Sequence, residues 1–136
     1  MVRYVAAFIG VSLSIAPALA DSPRHDTILA TLDQFMIARS VAARCGRADA
    51  PTQASFQRQY RLVAEQATLV LKTLASDLTQ DHIEKVMADH YGEIDRRVIV
   101  IVAQESCNGP HIKEALQKYD TVANAGQAPL MADKNN

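Results

Sequence analysis

The chain reads as an all-α protein: a small up-down four-helix bundle with one disulfide, following a cleaved signal peptide. Three observations carry that expectation. Five glycines, five prolines and no Trp stand among 136 residues rich in Ala, Leu and Gln, a balance that favours helix over sheet. Apolar side chains recur at helical spacing in four separate stretches. The only two cysteines, Cys45 and Cys107, fall at the ends of the first and third of those stretches.

Residues 1–20 have the make-up of a secretory signal. Arg3 supplies the positive start, Val5 to Ile15 is an apolar run too short to span a membrane comfortably, and Ala18-Leu19-Ala20 forms a small-x-small exit. The expected mature protein starts at Asp21 and is periplasmic or secreted. Without the signal 116 residues remain and Arg3 is lost, so the net charge of −1 becomes −2. That length suits one domain, expected over 21–123, and that charge argues against a nucleic-acid partner. Val98 to Ala103 is the most apolar later run, but Asp95-Arg96-Arg97 and Glu105 flank it, so no transmembrane segment is expected in the mature chain. In an oxidising compartment the two cysteines allow one intramolecular pair, Cys45 with Cys107.

The first helix is expected over 26–44, with Ile28, Leu32, Phe35, Met36, Ala42 and Ala43 on one side and Gly46 just past its end. A loop around Pro51 leads to the second helix, over 53–76, whose stripe of Phe56, Tyr60, Val63, Ala67, Val70 and Leu74 is the cleanest in the chain. Thr79 is the expected N-cap of the third helix, with Asp81 in its first turn. Its stripe runs Ile83, Met87, His90, Ile94, Val98, Ile101. The β-branched run Val98–Val102 would suit a strand by itself, but the helical period passes through it unbroken. Asn108-Gly109-Pro110 then breaks the chain and starts a fourth helix carrying Ile112, Ala115, Leu116, Tyr119 and Val122. Residues 124–136 lose the period and read as a disordered tail. Short connections make successive helices antiparallel, so the first and third end at the same pole, where the cysteines also lie.

The sequence carries no recognisable catalytic pattern. Glu-x-x-His, Cys-x-x-Cys-His, His-Glu-x-x-His and Gly-x-Ser-x-Gly are all absent, so neither an enzyme nor a bound metal or cofactor is expected. The best ligand-type cluster is Asp89, His90 and Glu93. On a helix wheel His90 points into the apolar stripe while Asp89 and Glu93 point away, along the charge ladder Lys85, Asp89, Glu93, Arg97. His90 is therefore expected to be buried, and pH-sensitive because burial disfavours imidazolium. Arg39 falls inside the first helix's stripe, from which its long side chain either snorkels out to water or forms a buried pair with Glu105, close to it in depth.

Charge is polarised, with five arginines against Asp49 between 39 and 61, and seven acids against two lysines between 62 and 95. Leu62 and Leu69, seven apart on the polar back of the second helix, are expected to form an interaction ridge. Ile99 and Val100 are expected to be covered by a neighbouring helix. These features favour a non-enzymatic binding module acting through protein–protein contact, such as an inhibitor, immunity or accessory and chaperone-type factor, with a protein partner or its own copy. The alternative is a small-molecule or metal carrier using the bundle interior near His90, Arg39 and Tyr60.

Overall fold

A computed structural model describes residues 22–46 and 49–132, which form four helices. α1 spans Ser22–Arg44, α2 Ala50–Leu74, α3 Gln80–Glu105 and α4 Pro110–Ala132, with no strand among the described residues. The expected signal segment 1–20 lies outside them, as do Arg47 and residues 133–136. The all-α bundle with a single disulfide is the fold the sequence predicts.

Local chemistry sets the helix ends. At the start of α3 the Thr79 hydroxyl accepts from the His82 N–H at 3.3 Å, as its N-cap position requires. α2 starts three residues before its predicted position, because Asp49 caps it. The Asp49 carboxylate accepts from the Thr52 hydroxyl at 2.8 Å and the Thr52 N–H at 3.1 Å. Those two bonds, the hydroxyl's first, hold the Asp49 carboxyl below its usual range. Pro51 fits in the first turn, where its missing N–H has no partner to lose. Gly46, at φ 73°, takes the left-handed position past α1.

The run Val98–Val102 is helical. The fourth helix corrects the predicted start of the tail, since residues 124–132 continue α4 rather than leave it. The apolar period lapses there because what α4 presents to α2 is small: Gly126 is buried, and a Cβ at that position would lie 2.7 Å from the Ser55 hydroxyl.

α1 touches all three other helices, and α2 packs most extensively on α4. α2 and α3, although consecutive, scarcely meet. In cross-section α1 and α4 therefore lie together, with α2 and α3 at opposite corners. The disulfide brings the ends of α1 and α3 together at a Cα–Cα distance of 5.6 Å, so those helices run parallel, as do α2 and α4.

The core centres on Phe56, which is completely buried. Its ring stacks on Tyr119 of α4 with centroids 4.2 Å apart and reaches Phe35 of α1 at 5.8 Å. Met36, Val41, Ile83 and Ile112 are likewise almost fully buried. Leu32, Phe35, Met36, Ala38, Val41 and Ala42 are buried over a wider arc of α1 than the single stripe predicted for it, while Gln34 and Ile37 stay exposed. A helix flanked by three neighbours buries more than one stripe, which blurs its period. Beside Phe56, the buried Ser55 hydroxyl donates to the Ala123 carbonyl at 2.6 Å, so its polar group is satisfied where α2 and α4 come closest.

Two stability predictions follow from this packing. Reducing the Cys45–Cys107 bond, which closes 62 residues of chain, should cost about 4 kcal/mol and lower Tm by roughly 15 °C in a thermal melt followed by circular dichroism. Gly126→Ala should cost about 1–3 kcal/mol by forcing α2 from α4, whereas Gly92→Ala, with nothing within 4 Å of the new methyl, should stabilise α3 by up to about 1 kcal/mol. Urea titration of the two variants gives both values.

Candidate functional site

The predicted site residues fall into three separate regions. The first is the seam between α1 and α3, which is polar where the rest of the core is apolar. Near its middle the Ser40 hydroxyl, almost fully buried, donates to Asp95 Oδ1 at 2.6 Å. Arg44, one turn further on, donates to Asp95 Oδ2 at 2.7 Å. These two donors, Ser40's first, hold the Asp95 carboxyl below its usual range. At the other end of the seam His90 Nε2 lies 2.6 Å from Asp33 Oδ1.

His90 is therefore not the buried residue expected. Its side chain is 44% exposed and faces a carboxylate rather than the apolar core. The wheel placed it correctly beside Ile83 and Ile94 but did not show that the edge of that stripe borders Asp33 of α1. Asp33, Ser40 and Arg44, spaced by seven and four on one side of α1, are the sequence signal for this seam.

The second region is the cleft that α2 and α3 leave between them. The two helices approach each other near the 75–79 turn, where the Thr68 hydroxyl contacts the Met87 sulfur at 3.5 Å. Further from the turn, Arg39 of α1 lies in the gap. Its guanidinium carbon sits over the ring of Tyr60 from α2 at 5.1 Å and over that of Tyr91 from α3 at 5.2 Å. Burial pushes the Tyr91 phenol up, with Arg39 opposing that shift and Asp95 reinforcing it.

The expected Arg39–Glu105 pair does not form. Glu105 folds back over the start of α4, where one carboxylate oxygen accepts from the His111 N–H at 3.2 Å and the other meets His111 Nδ1 at 2.5 Å. Matching depth along the bundle was the basis for pairing Arg39 with Glu105, but the two side chains leave their helices toward different neighbours.

The third region is the outer surface. Leu62 and Leu69 are 53% and 64% exposed, so among the described residues no helix covers the predicted ridge. Ile99 and Val100, expected to be covered, are 45% and 53% exposed as well. α3 sits at a corner of the bundle, with only α1 and α4 packed firmly against it. The Lys85–Asp89 rung of the predicted charge ladder forms on an exposed face. On the opposite side a groove of about 550 Å³ runs between α1, α3 and α4, with Ile37, Ile101 and Ala115 in its lining and His111, Glu114 and Lys118 around it.

Among the described residues, no three His, Cys, Asp or Glu side chains gather to hold a metal ion, and no helix is long and apolar enough to cross a membrane. No family model, no curated protein and no solved structure matches this chain.

Asp95 gives the seam a testable pH dependence. Its folded pKa lies below the unfolded value, so its contribution is complete above the unfolded pKa of about 4 and is lost as pH falls through the folded one. Asp95→Asn should destabilise the protein by about 1 kcal/mol at pH 7, and this deficit should shrink in urea titrations below about pH 4.

Proposed function

We propose that this chain is a periplasmic or secreted binding module that works through protein–protein contact, as an inhibitor, immunity or accessory factor rather than an enzyme. The observation that carries the reading is the exposure of Leu62 and Leu69 on the outer face of α2. They stand two turns apart among the exposed polar residues Arg58, Glu65 and Gln66, a spacing that lets one partner helix or strand meet both. Large aliphatic side chains aligned on a polar face mark contact sites more often than isolated exposed ones do. The Cys45–Cys107 disulfide agrees with an oxidising compartment, where such a bond persists.

A carrier role is the second reading, favoured by the groove between α1, α3 and α4, whose volume lies in the range of small-molecule sites. It moves the ligand from the interior, which Phe56, Met36 and Ile112 occupy, to the surface.

Photo-crosslinking in the native host tests the first reading. A photoreactive residue at position 62 or 69 should give a discrete protein adduct, while the same residue at the exposed position Glu93 should give none. Leu62→Glu with Leu69→Glu should abolish the partner contact or self-association and leave the helical circular dichroism unchanged. Adducts of equal yield at all three positions, or none at any, would overturn the reading.

A further inference from the structure

We infer that Arg39, Tyr60 and Tyr91 form a binding site for a carboxylate group, at the open part of the cleft between α2 and α3. The site is separate from the leucine ridge and does not depend on the role assigned to it.

Arg39 is a cation set within the fold yet given nothing to bind. It is half-buried, and both of its described contacts are with aromatic rings. No carboxylate lies within salt-bridge distance of its guanidinium among the described residues, and no side-chain or backbone oxygen accepts from it. The other seam arginine differs in this respect, since Arg44 donates to Asp95. Asp95, a charge close enough to act on the same Tyr91, already accepts from Ser40 and Arg44. None of the side-chain nitrogens or oxygens sealed from solvent lacks a partner among the described residues, so the free N–H groups of Arg39 face accessible space.

Two ring faces hold the cation without using its N–H groups. A guanidinium kept in this way loses little freedom when it binds, and its planar fork matches a carboxylate in two parallel hydrogen bonds. Tyr60 and Tyr91, both half-buried, flank the cation from α2 and α3. The Tyr91 hydroxyl stays protonated and able to donate, because burial opposes its ionisation. Arg44 is already held by Asp95, so the Arg39 guanidinium is the group left to pair with a carboxylate.

The test is an NMR titration of the intact, disulfide-bonded protein labelled with nitrogen-15, at constant ionic strength. Succinate should move the Arg39 Nε–Hε signal and the Tyr60 and Tyr91 ring signals together along a saturable curve, with Kd of roughly millimolar order. Arg39→Lys, which keeps the charge but not the fork, should weaken binding at least tenfold while leaving the remaining spectrum in place. A glutamate-containing peptide with blocked ends forms a second arm. Saturation by succinate alone identifies a small organic acid as the ligand class, and saturation by both extends the site to acidic protein segments. Inorganic phosphate binding as tightly as succinate would overturn the carboxylate assignment. A linear shift shared by all the arginines, or an unchanged Kd in Arg39→Lys, would overturn the site itself.

Discussion

Where α2 crosses α4, the Ser55 hydroxyl donates to the Ala123 carbonyl, and no Cβ fits at position 126 without displacing Ser55 or Gln59. This close approach governs the rest of the arrangement. Small residues at the crossing let the backbones come near enough for Phe56 to stack on Tyr119, and that stack fixes α2 at the corner beside α4. Once held there, α2 cannot also pack along α3. The two helices, joined by only a short turn, diverge as they leave it, and α1 becomes the floor between them. The cleft and the arginine standing in it are consequences of a tight contact on another side of the bundle.

α1 answers to two different neighbours. Toward α2 it presents Phe35, whose ring reaches Phe56, and Ala38, Val41 and Ala42 join the same apolar core. Toward α3 it presents Asp33, Ser40 and Arg44, each matched by a polar group. Sliding the helices would leave these hydrogen-bonding groups unmatched, a cost added to that of disrupted apolar packing. The polar seam therefore fixes the register of α3 on α1. The same register brings Tyr91 beside Arg39 and leads the end of α3 to Cys45.

Much of this was legible in the sequence. The stripe of α2 identified Phe56, Ala67 and Val70 as core because α2 buries one face and shows another to water. The short connections gave the parallel relation of α1 and α3, and the cysteines at the ends of both agreed with it. Helix order around the bundle was not legible. A wheel gives each side chain's direction relative to its own helix and says nothing of which neighbour stands there. His90, Arg39 and Glu105 were each placed well on their own helices and given the wrong surroundings for that reason. α1 was the hardest helix to read, because contact with three neighbours blurs its period. The end of α4 was missed because glycine and alanine make a close contact there without adding to a hydrophobic pattern.

The disulfide also alters how far apart in the chain the packed groups are. Val41 and Ile112, both deep in the core, stand 71 positions apart along the backbone. Through the bridge between Cys45 and Cys107 the covalent path shortens to about ten residues. In the oxidised chain the contact between α1 and α4 is therefore effectively local. The crossing of α2 with α4 gains less, since α2 lies inside the closed loop and α4 outside it. Topologically, the bond turns a bundle dominated by distant pairings into one where α1, α3 and the start of α4 are tethered together from the outset. Among the packed helix pairs, α2 and α4 then keep the longest covalent path between them.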